Sequence, residues 1–100
     1  MHKIQISRSA GRDIREAALW YNEQQPGLGR RFTHSVRGKL KLISKNPRLY
    51  ELRYANVRVA ILPIFPFAIH FRIDSAKKTV GIFGIFHTSV NPEKWQSRKE

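Results

Sequence analysis

Isoleucines at positions 4 and 6 alternate with polar neighbours, which predicts a short strand over residues 3–7 with one buried face. The apolar period then lengthens. Ala10, Ile14, Ala17 and Tyr21 recur at helical spacing, with Trp20 beside the stripe, so residues 10–24 read as an amphipathic helix. Ser7 or Ser9 can cap it, and Asp13 and Glu16 fall in the early turns, where the helix dipole favours carboxylates. Pro26 and Gly27 stop it. Leu28, Phe32, Val36, Leu40 and Ile43 trace the stripe of a second helix over residues 28–45, ended by Asn46 and Pro47. So short a break between the two makes an antiparallel hairpin.

Residues 50–56 form an irregular stretch or a short edge strand. Val57, Val59 and Ile61 then alternate with Arg58 and Ala60 as a strand, which Pro63 and Pro66 interrupt, because proline cannot donate to a central ladder. Ile69, Phe71 and Ile73 alternate with Ala68, His70 and Arg72 in the next strand, and residues 74–77 turn the chain back. Residues 79–86 are apolar on both faces, which places the last strand centrally. Asn91 as cap, Pro92 in the first position and Glu93 in the first turn predict a short C-terminal helix carrying Trp95, followed by basic Arg98 and Lys99. The order β-α-α-β-β-β-(α) implies one α+β domain over residues 1–100, with the helical hairpin on one face of a mostly antiparallel sheet. The other face would carry Arg58, His70 or Arg72, and His87 at its margin, as an open and partly polar binding surface.

Charge sharpens that expectation. Lys and Arg number 19 against 7 Asp and Glu, a net +12 with a pI near 11.0, and such a field attracts nucleic acid, anionic lipid or an acidic protein. Residues 24–73 hold ten Lys or Arg and one acid, Glu51. Arg30, His34, Arg37, Lys41 and Lys45 fall at spacings of four, three, four and four, so they line one ridge of the second helix. A solvated helix face is the plain alternative, but such faces are usually mixed in sign and this one is not. No apolar segment is long enough to span a membrane, and with no signal core at the start a cytoplasmic location is expected.

Several chemistries have no agent here. There is no cysteine, no glycine-rich phosphate loop and no H-E-x-x-H motif, and the four histidines lack ligand spacing, so neither metal nor cofactor is expected. A metal-free RNA cleavage needs an acid, a base and cations for the phosphate. Glu51 or His87 could act as acid or base, with Arg53, Arg58 and Arg72 as the cations. A surface salt bridge is the preferred reading for Glu51; packing at a strand end for His87, and solubility for Arg58 and Arg72, are as good as the catalytic one.

The chain resembles the RelE/ParE superfamily of toxins from bacterial type II toxin–antitoxin modules. The matching stretches are WYNEQQPGLGRRF at 20–32, NPRLY at 46–50, VRVAIL at 57–62, FPFAIHFRID at 65–74 and FHTSVNPEKW at 86–95, in order and over nearly the whole chain. The resemblance implies a helical hairpin over a sheet, a cognate antitoxin as partner, growth inhibition, and a part in plasmid stabilisation. It also implies one of two targets. RelE-like members enter the ribosome and cut mRNA; ParE-like members act on DNA gyrase and trap it on DNA. The nuclease branch usually carries an arginine ahead of the apolar core of the third strand, where this chain has Pro66, Phe67, Ala68 and Ile69, and another shortly after the histidine, where it has Val90. Those departures favour the ParE-like branch and gyrase. On the RelE-like alternative His87 would be catalytic with Arg58 or Arg72; a degenerate toxin or an RNA-binding module is the further alternative. On either target, Arg30, Arg37, Lys41, Lys45 and Arg53 are the expected target- or nucleic-acid-binding residues.

Overall fold

The computed structural model describes residues 1–90 and Arg98 of the 100-residue chain. The first strand, β1 (Lys3–Ile6), leads directly into α1 (Arg8–Gln24), whose N-cap is Ser7: its hydroxyl oxygen accepts the Ala10 N–H at 3.1 Å. Gly27 reverses the chain at φ 91°, a conformation that glycine adopts without penalty, and its N–H is held by the Asn22 side chain at 2.8 Å. Then comes α2 (Leu28–Lys45), a single 3-10 turn (Pro47–Leu49), and four strands: β2 (Leu52–Tyr54), β3 (Val57–Ile61), β4 (Phe67–Asp74) and β5 (Thr79–His87).

The sheet runs β1-β5-β4-β3-β2, with β1 parallel to β5 and every other pair antiparallel. The expected fold class stands, with β2 as a three-residue edge strand. The final strand is interior, flanked by β1 and β4, while β4 takes the middle of the sheet. The predicted C-terminal helix and Trp95 fall on residues 91–97, outside the described residues. No described helix is long and apolar enough to cross a membrane.

Both helical stripes bury as expected. Ala10, Ala17, Phe32, Val36, Leu40 and Ile43 meet Ala60, Ile69, Phe71, Val80, Ile82 and Ile85 in the main core. Tyr21, Phe32, Phe65 and Phe67 cluster with ring centroids 4.9–6.1 Å apart, the arrangement aromatic quadrupoles prefer.

Strand β3 turns out reversed relative to the expected faces. Arg58 is opposite Phe71 and Ala60 opposite Ile69, so Arg58 and Ala60 point to the helices. Val57 and Val59 point away and build a second small core with Ala68, Phe83 and Tyr54. His70 is also on that side, but fully buried rather than displayed. A period of two reports alternation and leaves its direction open, and here the larger hydrophobes of β3 were needed beneath the sheet.

The hairpin helices cross at Gly29, where a Cβ would overlap the Ala18 carbonyl oxygen and approach Asn22 Cβ to 3.1 Å. Gly38, on the same helix, has nothing within 4 Å. Gly38→Ala is therefore expected to gain up to about 1 kcal/mol from helix propensity. Gly29→Ala should reverse the sign and lose about 1–3 kcal/mol through overpacking. Urea unfolding of the two variants checks both.

Candidate functional site

Arg30, His34, Arg37, Lys41 and Lys45 are all exposed along α2, and none forms an ion pair with a described residue. The upper end of this ridge borders a cleft of about 460 Å3, where Arg30, Arg31, His34 and Ser35 stand over Phe65 and the exposed Ile64. Arg53 lies on the edge strand β2, 3.4 Å from Glu51 in an exposed pair, so Glu51 takes the salt-bridge role.

His87 ends β5 opposite Phe67, with the rings in edge contact at 5.2 Å. Its Nδ1 accepts the backbone N–H of Ser89 at 3.1 Å, and Ser89 Oγ lies 2.7 Å away. A backbone N–H can only donate, so the neutral ring carries its proton on Nε2. One side of His87 borders a cleft of about 340 Å3 lined by Ala17, Trp20, Tyr21, Pro66 and Phe67; Asp13 and Glu16 line the other, beside Phe86 and Val90. No described Lys or Arg lines either.

The two arginines paired with His87 on the nuclease alternative are elsewhere. Arg58, on the helix side, donates through Nη1 to the Tyr50 carbonyl at 2.7 Å and to that of Arg48 at 3.4 Å. Arg72 is on the opposite face, exposed, with its guanidinium 4.5 Å from the Phe83 ring centroid. On β5 their rows meet Ile82 and Gly81, five and six residues before His87, or roughly 17–20 Å along a strand. The structure does not bring His87, Arg58 and Arg72 together.

Two arrangements escaped sequence reasoning. Asp13, expected only to complement the α1 dipole, accepts the Ile85 N–H at 2.9 Å and both terminal nitrogens of Arg98 at 2.6 and 3.3 Å. Arg98 also reaches the Phe83 carbonyl at 3.3 Å and covers the Phe86 ring. This carboxylate takes over where β1 ends and the edge of β5 loses its strand partner. No local signal marks a pairing over 72 residues.

The second is the Tyr54 hydroxyl, 2.9 Å from His70 Nδ1 inside the small core. Burial, with the charges of Arg53 and Arg98 adding to it, lowers the His70 pKa to about 4 from an ordinary 6.5. The ring is neutral when folded, and an unfolded chain binds the proton first. Its contribution to stability is complete above about pH 6.5 and is lost as pH falls towards 4.

The family model that matches residues 4–92 is described as the ParE toxin of the type II toxin–antitoxin system parDE. Among solved structures, the chromosomal ParDE system from P. aeruginosa superposes with a TM-score of 0.76 at 19% identity, over 87% of this chain and 96% of that one. The isolated E. coli RelE toxin gives 0.65 at 13% identity, over 97% and 95%. The RelBE2 toxin–antitoxin complex from Mycobacterium tuberculosis gives 0.58 at 21% identity, over 86% and 96%. These likenesses show the fold. No curated protein sequence matches the chain.

Unfolding free energies at pH 7.5 and 4.5 test the buried imidazole. His70→Gln should lose less stability than the wild type between the two, and equal losses would contradict the account.

Proposed function

The chain belongs to the ParE toxin family of type II toxin–antitoxin systems, and on that premise we propose that it arrests growth by inhibiting DNA gyrase and is held inactive by a cognate antitoxin. The observation that carries the choice of target is the setting of His87. Metal-free phosphodiester cleavage needs cations converging on the phosphate beside the acid and base. Among the described residues, aromatic rings and the Glu16 carboxylate, which repels a phosphate, stand around His87; Asp13 there holds Arg98 in an ion pair, while Arg58 is tied to backbone carbonyls and Arg72 is on the other face. A RelE-type cleavage site would have to be assembled from groups this fold separates.

The antitoxin reading rests on exposed apolar surface beside unpaired charge. Leu19, Trp20 and Ile64 are 67%, 55% and 75% exposed, and Arg30, Arg31 and His34 adjoin the last of them. An acidic amphipathic segment covers both kinds of surface at once.

Labelled thymidine and labelled methionine incorporation, followed in the first minutes after induction in bacteria, tests the target. DNA synthesis should fall first, and His87→Ala should arrest growth as the wild type does. An earlier fall in protein synthesis, abolished by His87→Ala, would replace gyrase with the ribosome.

A further inference from the structure

The face of the sheet turned away from the hairpin holds a mainly apolar cleft with Arg72 and Gln5 at its rim, which neither the family membership nor the proposed target uses. Gln5 of β1, Gly81 of β5 and Arg72 of β4 form a single row across three strands. Gly81 has no side chain, and a Cβ built there meets nothing within 4 Å, so the row is notched at its centre. The notch opens into a cleft of about 400 Å3, completed by Ile6, Ser7, Ile82 and Phe83. Arg72 is held over the Phe83 ring at 4.5 Å and has no carboxylate partner among the described residues. Its nearest acid along the strand, Asp74, has an oxygen engaged by the Lys77 N–H at 3.2 Å, and Lys3 occupies the same row as Asp74.

We propose that this cleft binds one nucleotide of a single-stranded nucleic acid, with the phosphate on the Arg72 fork and the base over Gly81. A guanidinium fixed on a ring keeps its N–H edge free for two phosphate oxygens. The remaining lining is mainly apolar, so the face of a base can lie in the Gly81 notch against Ile6 without sequence preference, while Gln5 offers both a donor and an acceptor. A side-chain carboxylate would satisfy the fork and leave the apolar floor empty, so a nucleotide is the better occupant than an acidic peptide. The net +12 supplies the long-range attraction. The site is independent of which process the toxin arrests, since it is read by direct binding.

Fluorescence anisotropy of a labelled single-stranded oligothymidylate with the full-length protein tests it, urea unfolding confirming that each variant folds. Arg72→Ala and Gly81→Leu should each weaken binding about tenfold, while Arg15→Ala, which removes an equal charge from exposed α1, changes it by less than about twofold. Gly81→Leu is the sharper variant, because it fills the notch without altering charge and places a larger side chain where there is room. Wild-type binding by Gly81→Leu would overturn the proposal. So would an equal loss in Arg15→Ala and Arg72→Ala, which would mean only diffuse attraction. Tighter binding of a labelled oligoglutamate, lost in the same two variants, would give the cleft to an acidic peptide instead.

Discussion

A strand that is apolar on both faces must be covered on both faces, and the described residues supply one layer of helices with which to do it. That constraint shapes the rest of the molecule. Val80, Ile82 and Ile85 of β5 meet the hairpin in the main core, while Phe83 and Phe86 are left on the side turned away from the hairpin. The pairing shifts between His70 and Phe71, so that Phe83 is the extra residue between Ile82 and Gly84. The bulge turns a large ring into the second core, and the Phe86 ring lies over Gly84, where any Cβ would collide with it. Val57 and Val59 are drawn to this face for the same reason, and their neighbour Arg58 is consequently sent to the helix side.

The same constraint distributes the charge. Filling both faces of β5 with apolar residues leaves His87, on the helix side opposite Phe67, beside aromatic rings, and no described Lys or Arg lines its two clefts. Arg58 finds carbonyls at the end of the helical layer, Arg72 stacks on Phe83, and Arg98 is neutralised by Asp13. Exposed positive charge remains along α2, at Arg30, Arg37, Lys41 and Lys45, and elsewhere on the surface, as at Arg12 and Arg15 of α1, where solvent hydrates it. On the proposed function, this basic surface serves association with a large target and an antitoxin. Burial of His70 follows as well: an imidazole packed against Phe86 at 4.8 Å and bonded to Tyr54 serves the core in its neutral form.

Local patterns were legible because their physics is local. The stripes from Ala10 to Tyr21 and from Leu28 to Ile43 predicted both helices and their buried faces, and Pro26, Gly27 and Pro47 marked their ends. The strands and the fold class followed from alternation and order, and the family resemblance from dispersed short stretches. What alternation could not convey was which way β3 faces, since that depends on what lies above and below the sheet. The parallel seat of β1 beside β5 and the Asp13–Ile85 bond are long-range pairings with no composition of their own. The cluster proposed for a nuclease failed to converge because His87 and the two arginines occupy different rows and, for Arg72, a different face, facts that exist only once register is set.

Purified gyrase supercoiling a relaxed plasmid, with and without this protein, tests the central claim most directly. The account predicts that supercoiling stops and that linear DNA accumulates once the enzyme is digested, with His87→Ala as effective as the wild type. Undisturbed supercoiling at a molar excess of the protein, together with cleavage of mRNA on purified ribosomes, would contradict it.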